Sequence, residues 1–112
     1  MTLNLEGAVG SEITTAGLRS ELQRANGEDV TINVNSAGGS VFEGYAIGSE
    51  LRRYSGNVTV RITGLAASIA SYIATQADRV IAEEQSNLMI HDPATVTAGN
   101  SQDHQKSVEL LE

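Results

Sequence analysis

Apolar and polar residues alternate along Val30-Thr31-Ile32-Asn33-Val34-Asn35 and again along Asn57-Val58-Thr59-Val60-Arg61-Ile62-Thr63. A period of two marks a strand with one buried face. Shorter runs at Arg79–Ala82 and Asn87–Ile90 also read as strands, and Met1–Leu5 as another with Leu3 and Leu5 on one face. Between them the period becomes helical. Thr14 or Thr15 offers a cap for a helix carrying Leu18, Leu22 and Ala25 on one stripe, and Gly27 stops it. Val41–Ser55 lines up Ile47, Leu51 and Tyr54, with Gly56 as the stop. Ala67–Ala77 is apolar almost all round, which predicts a buried helix. The tail, residues 94–112, predicts the start of a fourth helix, capped at Asn100 or Ser101, with Val108 and Leu111 one turn apart. That pattern breaks off in mid-helix, which predicts a longer polypeptide.

The order β-α-β-α-β-α-β-β predicts a single α/β domain over residues 1–112. Strands alternating with helices imply parallel pairing and right-handed crossovers. In such sheets ligands gather at the carboxyl ends of the strands. The segments after Asn35, Thr63 and Ile90 are therefore where chemistry is expected.

Composition narrows the classes. Hydrophobic residues make up 40% of the 112 residues, which is too apolar for a disordered tail. Aromatics are 4%, with no Trp, so the core must be built from Val, Ile, Leu and Ala. The absence of Cys excludes disulfides and thiolate metal sites. Seven basic against 14 acidic residues give a net charge of −7, which argues against nucleic acid or an anionic membrane as partner. There is no secretory signal pattern and no run near the ~18–20 apolar residues a membrane span needs. The expected compartment is the reducing cytoplasm.

Each of three segments carries a chemical reading and a plainer one. Asn35-Ser36-Ala37-Gly38-Gly39-Ser40 places adjacent glycines between strand and helix, where backbone N–H groups can hold an anion or a developing oxyanion; a tight turn is the plainer reading. It lacks the Gly-Lys-Ser/Thr of a P-loop and the spacing of a dinucleotide fingerprint. Gly64-Leu65-Ala66-Ala67-Ser68 ends a strand and opens an apolar helix with a hydroxyl that feels the positive end of the helix dipole; a capping serine is the plainer reading. The G-x-S-x-G elbow of α/β-hydrolases is not matched. Leu88-Met89-Ile90-His91-Asp92-Pro93 delivers an imidazole at the end of an apolar strand: a general base, a metal ligand or a surface residue. For a metal it lacks company, since the other histidine is His104 in the tail, so no metal and no cofactor is expected. Together, a hydroxyl, an imidazole and backbone donors at three strand ends are the parts for acyl transfer.

The runs Asn35–Val41, Gly64–Ser68 and Met89–Pro93, in this order, resemble the proteolytic subunit of the Clp protease. Gly-Leu-Ala-Ala-Ser and Thr97-Ala98-Gly99-Asn100 are most similar to the phage and prophage branch, the Clp-related head maturation proteases. The resemblance covers roughly Val30–Glu112 and implies a crotonase-like α/β spiral with a mostly parallel sheet. It implies Ser68 as nucleophile, His91 as general base, and the amides of Gly39 and Ile69 as oxyanion hole. The glycine loop with its flanks (Gly38, Ser40, Val41) and Pro93 after the histidine would pair with an extended peptide as an added strand. It further implies a serine endopeptidase of capsid or scaffold protein in the host cytoplasm. Homo-oligomeric rings, a handle helix from about Asn100, and a possible ATPase partner belong to the same picture.

The sequence departs from the family in two places. Ala37 stands where the family commonly has Pro. The family's orienting Asp, well downstream of the histidine, has no matching position; Asp78, Asp92 and Asp103 are the acids at hand. Competing readings are an acyl-CoA enzyme of the same superfold, which would need an acid where Ser68 stands, and a non-catalytic assembly module. A Ser/Lys dyad fails because the sole lysine, Lys106, is in the tail.

Overall fold

The computed structural model describes residues 1–92 and 95–98, with side chains through residue 89. The elements are β1 (Thr2–Val9), α1 (Thr15–Ala25), β2 (Val30–Gly39), α2 (Val41–Arg53), β3 (Val58–Ala67), α3 (Ile69–Thr75), β4 (Arg79–Ala82), β5 (Asn87–Asp92) and β6 (Thr95–Ala98). One sheet runs β1-β2-β3-β5-β6, with β4 paired to β3 beside β5. All pairings are parallel except β5 with β6. The α/β class and mostly parallel sheet expected from the sequence are thus found.

Because β1, β2 and β3 are consecutive neighbours, right-handed crossovers that step in one direction leave their helices on one face of the sheet. That accounts for the alternation in the strands, where a sheet covered on both faces would show continuous apolar runs. Ile32, Val34, Val58, Val60 and Ile62 are at most 1% exposed. They pack against Leu18, Leu22, Ile47, Leu51 and Ile73 from the helices. The intervening Thr31, Asn33, Thr59 and Arg61 face the other side, where Asn33 Nδ2 donates to Asn4 Oδ1 at 3.1 Å.

The helix starts are tied together. Thr14 caps α1, accepting from Gly17 N at 3.1 Å. Ser40 caps α2, accepting from Glu43 N at 3.2 Å, while its own N–H donates to Val9 O. The Glu43 carboxylate reaches across to α1 and accepts from Thr15 N at 2.6 Å. The Thr15 hydroxyl and then its backbone N–H hold the Glu43 carboxyl below its ordinary value. Glycines let α2 close on α3: a Cβ at Gly44 would collide with Ile69, and one at Gly48 would lie 2.8 Å from Tyr72 Cε2.

Several boundaries differ from the sequence reading. β1 runs to Val9 rather than Leu5, β2 to Gly39 rather than Asn35, and β3 to Ala67 rather than Thr63. The extensions are mostly Gly, Ala and Ser, whose small side chains give little apolar–polar contrast for a period of two to show. The helix expected over Ala67–Ala77 is shorter, Ile69–Thr75, because β3 claims Ala67 and the last turn opens at Gln76. Residues 95–98, assigned to the start of a tail helix, form β6 against β5. The expected cap at Asn100 or Ser101 and the handle helix lie outside the described residues, as do Asp103, His104 and Lys106.

Candidate active site

The parallel strands β2, β3 and β5 deliver their carboxyl ends to one region. Up to Val34 and Ile62 the β2–β3 ladder is regular; it resumes at Ser36↔Ala66, so β3 spends extra residues at the break. Asn35 Oδ1 bridges that gap by accepting from Leu65 N at 3.0 Å. Buried Ser36 accepts from Gly38 N at 3.0 Å. Side chains thus supply the hydrogen bonds that the interrupted ladder withholds.

β3 then ends on Ser68. Its backbone, at φ 56° and ψ −131°, lies in territory that is ordinarily reserved for glycine. Ser68 occupies the position before α3, yet its hydroxyl makes no capping hydrogen bond. The plainer reading of this serine therefore lacks the bond that defines it. Ala66 and Ala70, two residues to either side, are at most 1% exposed. The turn is an elbow in shape, with alanine at the positions where the α/β-hydrolase motif has glycine.

Gly38 is pressed against this elbow. Its φ is 109°, and a Cβ there would stand 2.7 Å from Ser68 Cβ and 3.3 Å from Ser68 Oγ. At Gly39 a Cβ would collide with the Val9 backbone. The N–H groups on either side of Gly39 are engaged, that of Gly38 with Ser36 Oγ and that of Ser40 with Val9 O. Ile69 is the first residue of α3, so its N–H is one of the donors a helix start leaves without an intrahelical partner.

Beside Ser68 opens a groove of about 300 Å³, lined by Val41, Tyr45, Ser68, Ile69, Ser71, Tyr72 and Thr75. Apart from Met1, the large apolar residues most exposed among those described are Val41, Phe42 and Tyr45, all at the start of α2, and Val41 and Tyr45 line this groove. A roomier hollow of about 400 Å³ lies between β1 and α1, but it is lined by none of the residues the acyl-transfer reading requires.

The β3–β5 register pairs Ala67 with Met89. His91, two residues beyond Met89 and within β5 rather than after it, is therefore carried on the strand adjacent to the one that ends at Ser68. Pro93 lies outside the described residues. Asp78 is at the wrong end: its Oδ2 accepts at 2.7 Å from the N–H of Val58, where β3 begins. The structure thus brings Gly38, Ser68, Ile69 and Val41 together, sets Gly39 and Ser40 on the adjoining strand end, and removes Asp78 from consideration.

A sequence model of the Clp protease family matches residues 8–112. The chain belongs to that family. It is 37% identical over 70 residues to the ATP-dependent Clp protease proteolytic subunit 1 of Chlamydia caviae, a match covering 61% of this chain and 37% of that protein. It is also 37% identical over 79 residues to the proteolytic subunit of Porphyromonas gingivalis, covering 69% of this chain and 36% of that one. Among solved structures, the ClpP protease catalytic domain from Plasmodium falciparum superposes with a TM-score of 0.83 at 20% identity, covering 96% of this chain and 80% of that chain. A ClpP1 point mutant from Listeria monocytogenes gives 0.75 at 23% identity, covering 98% and 64%. These two share the fold. The matched stretches span a little over a third of the length of the curated relatives.

Within this Clp protease chain, two contributors escaped the sequence reading. Asn35, taken as the last residue of a strand, bridges the break from which the serine strand continues. Tyr72, which lies inside the apolar run Ala67–Ala77, forms a wall of the groove. For Asn35 a signal existed: an amide side chain at the end of an apolar strand, next to a glycine pair. For Tyr72 none did, because its partners come from another helix.

Proposed function

We propose that this chain is the nucleophile-bearing portion of a serine endopeptidase of the Clp type. The observation that carries the reading is Ser68: a serine held at glycine-like backbone angles, uncapped, against a buried glycine and beside an apolar groove. Strain of this kind costs on the order of 1–3 kcal/mol and persists where the surrounding structure enforces it, as at nucleophile elbows.

In this reading Ser68 Oγ attacks the scissile carbonyl carbon while His91 accepts its proton. The negative oxygen is held by the N–H groups of Gly39 and Ile69. Collapse expels the amine, which leaves with the proton from His91. Water, deprotonated by His91, then hydrolyses the acyl-serine and restores the hydroxyl. Gly38, Ser40, Val41 and Pro93 flank the extended substrate. No metal or cofactor has a role. Asp78 is bound at the far end of β3; a chain with no carboxylate orienting His91 would cleave peptides up to ~10⁴-fold more slowly than one that has it. The motif details Gly64–Ser68 and Thr97–Asn100 favour the phage head maturation branch, with capsid or scaffold protein as substrate. A homo-oligomeric ring in the host cytoplasm follows from the same branch, with an ATPase partner optional.

The test is covalent labelling. A fluorophosphonate is expected to modify Ser68, and Ser68→Ala to abolish modification without loss of folding. A folded chain that stays unlabelled, or that is labelled equally in Ser68→Ala, overturns the reading.

A further inference from the structure

The groove beside Ser68 has a wall that is held from outside it. Tyr72 lines the groove, and its hydroxyl accepts from Arg52 Nη1 at 2.9 Å. The same guanidinium donates to Gln76 Oε1, at the residue that closes α3, and through Nη2 to Ser49 Oγ at 3.1 Å on its own helix. Arg52 itself does not line the groove. The ring sits in the space left by Gly48, and Tyr45 meets it edge-on with centroids 5.1 Å apart and planes at 85°. The other polar groups of the wall are occupied locally: Ser71 Oγ donates to Ser68 O at 2.6 Å and Thr75 Oγ1 to Tyr72 O at 2.8 Å. The groove therefore offers a largely apolar space bounded by the rings of Tyr45 and Tyr72.

We propose that Arg52 is a positioning residue that sets the size selectivity of the groove, by fixing the Tyr72 ring between Gly48 and Tyr45. This rests on the peptidase reading above. A planar guanidinium that bonds a phenol and an amide four residues apart constrains both the torsion of the ring and its height on α3. Without that latch the ring is free to change rotamer, and the volume beside Ser68 changes with it.

The experiment compares two peptidyl diphenyl phosphonates that differ only in the side chain next to phosphorus, one leucine-sized and one tryptophan-sized. Ser68 Oγ displaces phenol from phosphorus, and intact mass reports the rate. The full chain is expected to prefer the leucine-sized probe by about tenfold or more, the scale on which pockets discriminate by size. Arg52→Ala should compress that ratio to about threefold or less. Tyr72→Phe, which keeps the ring and removes the acceptor, should do the same, and Arg52→Lys, which keeps the charge but not the planar set of donors, should restore little of the preference. A uniform slowing of both probes, or an unchanged ratio in Arg52→Ala and in Tyr72→Phe, overturns the proposal while leaving the peptidase reading intact. Failure of Ser68 to react with either probe in the parent chain overturns both.

Discussion

The two halves of β2 and β3 are built on different principles. Between Val30 and Val34, and between Val58 and Ile62, the ladder is regular and every second side chain is in the core. Beyond Val34 and Ile62 the register jumps, glycines take positive φ, and Ser36 and Asn35 side chains replace ladder hydrogen bonds. The first half is stabilised by burial. The second is shaped by what each backbone position permits, and it ends on a strained serine. The difference shows how one pair of strands serves as both foundation and site: the core holds the irregular end in a conformation it would not adopt alone.

This contrast can be broken from either side. The largest stability effect is expected in the regular half. Ile62→Ala should cost about 2–5 kcal/mol, read from denaturant midpoints, while the folded fraction keeps the labelling rate of Ser68. Loss of labelling in proportion to more than the unfolded fraction would show that the halves are not separable. Gly38→Ala should cost about 1–3 kcal/mol through its positive φ and its clash with Ser68. Unlike Ile62→Ala, it should slow labelling at least about tenfold in fully folded protein, the cost of shifting a reacting group. Asn35→Ala should cost about 1 kcal/mol by leaving the Leu65 N–H to water, with a smaller loss of labelling.

The smallest effect sharpens the comparison with a region outside the sheet. The Glu43 carboxyl, held down by Thr15, links the starts of α1 and α2. A depressed native pKa contributes stability that is fully present above the ordinary glutamate value of 4.5 and is lost as pH falls through the lower native value. The melting temperature of the parent should therefore exceed that of Glu43→Gln near pH 6, and the gap should close towards pH 3. A gap that stays constant over that range would show that the carboxylate charge is not what joins the helices.

The regular half was legible in the sequence because its information is local. Alternation at Val30–Val34 and Val58–Ile62, and the stripe Leu18, Leu22, Ala25, follow from burying one face of each element. The candidate site was legible as a set of parts because Gly38, Gly39, Ser68 and His91 fall at three strand ends, although each taken singly has a plainer use. Its form was not. Gly38, Gly39 and Gly64–Ala67 read as loops because small residues carry no pattern, yet hydrogen bonding to neighbouring strands makes them strand.

By itself, then, the sequence determined the order of elements, the buried faces, the parallel class and the candidate groups for the chemistry. These depend on side-chain type and spacing within a few residues. Only the tertiary structure decided that Ser68 sits at φ 56° against Gly38, that Asp78 is bound at the far end of β3, and that Arg52 reaches Tyr72 across two helices. Each of these is a contact between residues distant in sequence or a backbone angle imposed by such contacts. No local pattern encodes them, because the free energy that enforces them comes from the packing of the whole core.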